Sequence, residues 1–280
     1  MRTSRKVSLI ALCVGIILVS AVWASAQGAV EFGFRGGLNV ANQSDENTAF
    51  RPWDHDILSD PLYADDYSTA SITWFEIGCF FNYEVSPSFS IQPELKYTRK
   101  GVNVTGLGTF EDSYDGDDLA AEYDVLVDKI ELTYIEVPVL LKFKLPAKGN
   151  FRPSIFAGPA MAFNIGQSRE MDVEYTVFVD GYPVDGFIRG EPEITNLKST
   201  DMGLVFGGEI RIPYGSINLS LDARYTMGMT DVFEDINAED VGLLINARPE
   251  ELPVADFYTG EASGVKNRSL SITLGVSMAL

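Results

Sequence analysis

From Ile135 onward every second residue is apolar: Ile135, Val137, Val139, Leu141, Phe143 and Leu145. The opposite parity is mixed, with Tyr134, Glu136, Pro138, Leu140, Lys142 and Lys144. Successive side chains of a strand point to opposite faces, so one face is apolar for about eleven residues and the other carries charge. About eleven residues is also what a tilted strand needs to cross a bilayer. This segment alone fits either a membrane-spanning strand or a half-buried strand of a soluble sandwich. Pro138 counts against a regular central strand, because it donates nothing to the ladder.

The alternation recurs along the chain. Residues 29–40 set Val30, Phe32, Phe34, Leu38 and Val40 against Glu31, Gly33, Arg35, Gly37 and Asn39. Residues 71–84 set Phe75, Ile77, Cys79, Phe81 and Tyr83 against Glu76, Gly78 and Asn82, and a third strand from Phe89 sets Ile91, Leu95 and Tyr97 against Gln92, Glu94 and Lys96. After the segment 130–145 come 151–165, 199–212, 217–228 and 267–280, the last alternating almost perfectly. The pattern predicts eight strands. Three connections are four or five residues long, and four, 41–70, 105–127, 166–198 and 229–266, run from 23 to 38 residues. The third of these is expected to hold its own hairpin, since 173–177 alternate toward Asp180-Gly181, a two-residue turn signal. Short and long connections alternate strictly. Outer-membrane barrels have an even strand number, short periplasmic turns and long external loops. The expected fold is therefore all-β: an eight-stranded antiparallel up-and-down transmembrane β-barrel with four long extracellular loops.

Export fits this reading. Arg2, Arg5 and Lys6 precede an apolar run over 7–22, and Ala24-Ser25-Ala26 follows. That is a cleavable secretory signal over residues 1–26, with the barrel domain over 27–280. A retained anchor is the alternative, although no charged stop-transfer flank follows. Cys13 falls within the signal, so Cys79 is left alone and no intramolecular disulfide is expected.

Charge sharpens the picture. The chain holds 40 acids and 21 bases; without the signal's three bases the balance is 18 against 40, or −22. The four long connections take 30 acids and six bases, −24, which leaves the walls and short turns at +2. Such an acidic rim disfavours nucleic acid and anionic surfaces and attracts cations. On the interior parity stand Glu31, Glu76, Glu94, Glu136, Glu209 and Asp222, against Arg35, Lys96, Lys142, Arg152, Arg211 and Arg224. A closed eight-stranded barrel is just wide enough for side chains to fill. Equal numbers of each sign point to a structural network of lumen ion pairs, with a water-filled ion path as the alternative. Tyr83, Phe89, Phe143, Phe151 and Tyr214 near the short turns, and Trp74, Tyr97, Phe163 and Tyr225 near the long connections, fall where aromatic girdles would lie.

Catalytic chemistry finds little footing. The only histidine, His55, sits in an acidic stretch without an identifiable partner. Asp112, Asp115, Asp117 and Asp118, around Gly116, offer hard oxygens for calcium, but their spacing does not match an EF-hand loop, and a solvated acidic loop is the simpler reading. No cofactor motif is present.

Several stretches resemble the PorT-like outer-membrane β-barrel family, often labelled porin family proteins. They are Phe32-Gly33-Phe34-Arg35-Gly36-Gly37-Leu38-Asn39, Gln92-Pro93-Glu94-Leu95-Lys96-Tyr97, Tyr134-Ile135-Glu136-Val137-Pro138-Val139-Leu140-Leu141-Lys142, Phe156-Ala157-Gly158-Pro159 and Ala223-Arg224-Tyr225. The resemblance makes Pro138 a family feature and implies a surface barrel, with a part in protein secretion for some members. It implies no catalytic residue. The expected function is a non-catalytic integral barrel of the cell outer membrane, monomeric, with a structural or surface-binding role. Its expected partners are outer-membrane lipid, divalent cations at the acidic loops, and a protein at the loops or periplasmic turns. An accessory part of a secretion or transport machine is the second reading. A soluble periplasmic lipocalin-like barrel is the third, and it would place apolar residues inside.

Overall fold

In the computed structural model the described residues are 30–43, 63–114, 117–179, 182–191, 194, 197–233 and 265–280. They form nine strands: β1 (Val30–Gln43), β2 (Tyr63–Ser86), β3 (Phe89–Tyr114), β4 (Asp117–Lys144), β5 (Arg152–Val179), β6 (Tyr182–Gly190), β7 (Thr200–Tyr214), β8 (Ile217–Gly228) and β9 (Asn267–Ala279). Every pairing is antiparallel. β1 pairs with β2 and with β9, and the ladders β2–β3, β3–β4, β4–β5, β5–β7, β7–β8 and β8–β9 complete a closed eight-stranded ring. β6 stands outside the ring, paired with the far half of β5. The expected signal segment and His55 lie outside the described residues.

Turn chemistry explains the tight end. Tyr214 faces Ile217 across Gly215-Ser216, and Gly215 has φ +61°, a conformation that costs a glycine little. Ser86 faces Phe89 across Pro87-Ser88. The β4–β5 connection is tied down by Leu145 N–H donating to Pro153 O at 2.9 Å.

The walls are inverted relative to a soluble barrel. Phe34 is 56% exposed, Ile77 56%, Leu141 46%, Leu221 48% and Leu274 68%, while Glu76, Lys96, Glu136 and Arg224 are buried. Apolar side chains therefore face outward and charged ones face inward. The lipocalin-like reading is overturned by this polarity. A bilayer around the wall rationalises it, because lipid is the solvent in which such an exterior is stable.

On β3 and β4 the apolar exterior ends at a charged trio. Above Tyr97 comes Arg99, whose Nη1 donates to Glu131 Oε2 at 2.6 Å, and Lys129 Nζ lies 2.9 Å from Glu131 Oε1. The Arg99 guanidinium stacks 4.0 Å over Trp74. Beyond this level the strands do not stop. The expected loop 105–127 is a continuation of β3 and β4, paired from Thr105↔Val127 out to Tyr114↔Asp117. β2 begins at Tyr63, within the expected loop 41–70. β5 runs on to Val179, opposite Tyr182 of β6, so the expected hairpin pairing is present, while Asp180 and Gly181 themselves lie outside the described residues. Polar composition masked these extensions: a ladder between neighbouring strands is held by backbone bonds and needs no apolar parity. Five strands thus project beyond the membrane on one side of the barrel.

Candidate functional site: an ion network across the lumen

The inward parity of all eight ring strands converges on the barrel axis, and its charges meet in two tiers. In the tier nearer the short turns, Arg224 donates from Nη1 to Glu94 Oε2 (2.7 Å), from Nε to Asp222 Oδ1 (2.7 Å) and from Nη2 to Asp222 Oδ2 (2.9 Å). Arg35, reaching in from β1, donates from Nη1 to Asp222 Oδ2 (3.1 Å) and lies 3.3 Å from Glu94 and 3.5 Å from Glu209. Lys142 Nζ donates to Glu209 Oε1 (2.7 Å) and to Gln92 Oε1 (2.9 Å), and Gln92 Nε2 passes the chain to Glu94 Oε1 (2.6 Å). Arg211 joins Glu209 (3.1 Å) to Glu31, and Glu31 also accepts from Asn218 Nδ2 (3.1 Å). Four carboxylates meet four cations here.

The outer tier is built on Lys96, which donates to Glu76 Oε2 (3.1 Å) and lies 2.9 Å from Glu136 Oε2. Lys100 pairs with Glu136 and lies 3.9 Å from Asp201 Oδ2. Ser271 Oγ bonds Asn39 Oδ1 (2.9 Å) and Glu76 Oε2 (3.0 Å), and Asn267 Nδ2 donates to Asp201 Oδ2 (2.9 Å). Aromatic rings line the walls between the ions, with Arg35 4.4 Å over Phe80 and Arg224 5.3 Å from Phe156.

An isolated charge in such a place would be strongly disfavoured; paired and hydrogen-bonded it persists. The arrangement therefore sets each of these charges beside at least one of opposite sign, inside the wall. Of the charges read on the interior parity, Arg152 alone is not part of it. It is the first residue of β5, exposed at the open rim of the short-turn end, where water solvates it. Lys100 and Asp201 join the network although the sequence reading passed over them. Both lie where the apolar exterior is ending and the alternation has lost its contrast. Of the calcium candidates, Asp112 ends up in β3 and Asp117 and Asp118 open β4, while Asp115 lies outside the described residues.

Some solved structures are similar to the chain at low identity. Neisserial surface protein A covers 88% of this chain and 96% of its own, at 12% identity and TM-score 0.38. The outer membrane protein OprG from Pseudomonas aeruginosa covers 90% and 97%, at 10% identity and TM-score 0.39. The outer membrane protease OmpT from Escherichia coli covers 90% and 97%, at 10% identity and TM-score 0.41. No curated protein matches the chain significantly in sequence. The family model for the outer membrane protein beta-barrel domain matches residues 24–234. With the closed ring, the apolar exterior and this match, the chain belongs to the outer membrane protein beta-barrel domain family and resides in the cell outer membrane.

Proposed function

We propose that the protein is a closed, non-catalytic barrel whose structural or surface-binding work is done by the sheet projecting outside the cell. The observation that carries this reading is the mutual pairing of the lumen charges. Charges engaged with opposite charges across the lumen support a closed water path and offer no free acid–base pair. Purified protein in planar bilayers is expected to show no steady open channel; a reproducible cation-selective open state would overturn the reading. Turnover of peptide or lipid substrates by the purified protein would remove its non-catalytic part. On whole cells, a cysteine replacing Asp117 should react with an impermeant maleimide and one replacing Lys148 should not. The reverse pattern would invert the topology.

A second reading, an accessory component of a secretion or transport machine, draws on the resemblance to PorT-like barrels and on the same projecting sheet. A blade several strands wide offers a partner protein far more surface than a flexible loop. Crosslinking followed by pull-down separates the two: recovery of a defined machine component favours the second reading, and recovery of external macromolecules favours the first.

A further inference from the structure

Above Lys100 and Tyr134 the inward positions of β3 and β4 change chemistry. Val102, Val104, Ile130 and Leu132 replace the charges below, and all four are buried. They are covered by residues from outside the wall: Ile194, Val232, Phe233 and Val265 are buried in the same cluster, and Leu197 packs against it. Backbone bonds tie these pieces together. Leu197 and Phe233 form an antiparallel bridge. Lys198 N–H donates to Val232 O at 2.9 Å, and Val232 N–H donates to Val265 O at 2.8 Å. Gln167 Nε2, on β5, donates to Ile194 O at 3.0 Å. Thr230 Oγ1 accepts from Met202 N–H at 2.8 Å and donates to Asp201 Oδ1 at 3.0 Å, which anchors the exit of β8 to the start of β7. The pieces form a strap laid across the mouth, held by apolar burial and backbone bonds, with the Thr230–Asp201 bond linking it to the outer tier.

Below the strap and above the Arg224–Ser271 pair, Thr226 and Ser269 face each other across β8 and β9. Both are buried, and their hydroxyls bond no described residue. A polar layer thus lies between two barriers of different chemistry.

We infer that the strap is a second seal that closes the outer mouth to solutes independently of the ion network. The inference rests on the closed-lumen reading and deepens it. Salt and acid act on the lower barrier, whereas the upper one responds to loss of apolar contact. An external ligand then meets the strap and the projecting sheet, never the lumen charges.

The test uses full-length protein in whole cells with Cys79→Ser as background. With Ser269→Cys added, a small cationic methanethiosulfonate reagent should react at least about tenfold more slowly than with Glu174→Cys on the projecting hairpin, because labelling waits on local opening. Adding Val232→Asp and Phe233→Asp should bring the two rates together. If that variant fails to assemble, the pair Leu197→Cys and Phe233→Cys tests the strap directly. Bridge partners lie within disulfide reach, so oxidation should link them in the folded protein. Fast labelling of Ser269→Cys under an intact strap, or failure of the pair to crosslink, overturns the inference. Fast labelling without bilayer current removes the strap and leaves the ion plug, whereas a steady current overturns the closed-lumen reading itself.

Discussion

β3, β4 and β5 are 26, 28 and 28 residues long, whereas β7, β8 and β9 are 15, 12 and 13. Both groups obey the same ladder rules, yet they answer to different solvents. The short strands carry little beyond the span a tilted strand needs to cross hydrocarbon, about nine to eleven residues. Their outward positions, such as Leu204, Phe206, Leu219, Leu221, Ile272 and Leu274, are large and apolar. The long strands do this too, up to the level of Arg99 and Glu131. Beyond it they continue through water, where polar side chains are tolerated because each strand is paired with its sequence neighbour. Membrane residence and projection are thus written in one set of strands by two outward compositions.

The contrast can be broken most severely from within. Arg224→Ala leaves Glu94 and Asp222 buried without their principal partner, and removing one member of a buried pair costs about 3–5 kcal/mol. We expect a lower melting temperature by heat-modified electrophoretic mobility, without a steady pore in planar bilayers. Unchanged stability would mean that the network contributes nothing to the fold. Next in size is the lipid face. Leu221→Arg should cost about 2–4 kcal/mol for arginine near the midplane, while Glu174→Arg, on the projecting hairpin, should leave the barrel unchanged. Equal folding yields in detergent would refute the assignment of the outward face.

Shortening the long side should matter far less. Replacing residues 106–126 by Asn-Gly, so that Thr105 runs straight into Val127 through a hairpin turn, should leave the barrel's melting within about 1 kcal/mol of the parent. Loss of the barrel would show that the projection is needed for closure. The smallest effect concerns the exposed Arg189–Asp172 pair, bonded at 2.6 and 3.1 Å. Those hydrogen bonds hold the Asp172 carboxyl below its ordinary value. A depressed acid contributes its stabilisation above the unfolded value and loses it as pH falls through the folded one. The β5–β6 hairpin should therefore be unaffected near neutrality and loosen only below about pH 4. Proteolysis of this hairpin as a function of pH should show the change, and Asp172→Asn should flatten it. An identical profile in the variant would remove Asp172 as the cause.

The walls were legible because the bilayer forces strict alternation: an apolar parity fixed the outside, and the opposite parity then exposed Glu76, Lys96, Glu136 and Arg224 as inward. Alternation carries no signal where that contrast fades. Lys100 and Asp201 lie at the edge of the apolar band, so nothing marked their parity as inward. The outer parts of β3 and β4 are acidic in composition and lack an apolar parity, so they resemble loop. Ile194, Val232, Phe233 and Val265 follow no period, because a strap contributes one or two buried residues at a time. Arg152 has the right parity but sits on the last rung at the barrel's open rim, where water reaches it, and alternation cannot detect that.

The closing ladder has a consequence for assembly. Seven of the eight ring pairings join strands that follow one another around the ring in chain order, and each can form as soon as its second strand exists. The eighth joins β1 to β9, from Glu31↔Ala279 to Gln43↔Asn267, and Leu280 N–H donates to Val30 O at 2.9 Å. Until β9 arrives, β1 presents an unpaired edge along its whole length, a template for wrong partners. The ionic core is equally unfinished, since Ser271 and Asn267 belong to the late strand and hold Glu76 and Asp201. Local hairpins are quick to form, and the one long-range closure is slow. Handling of that open edge, more than the stability of the finished ring, would then set how much protein reaches the membrane.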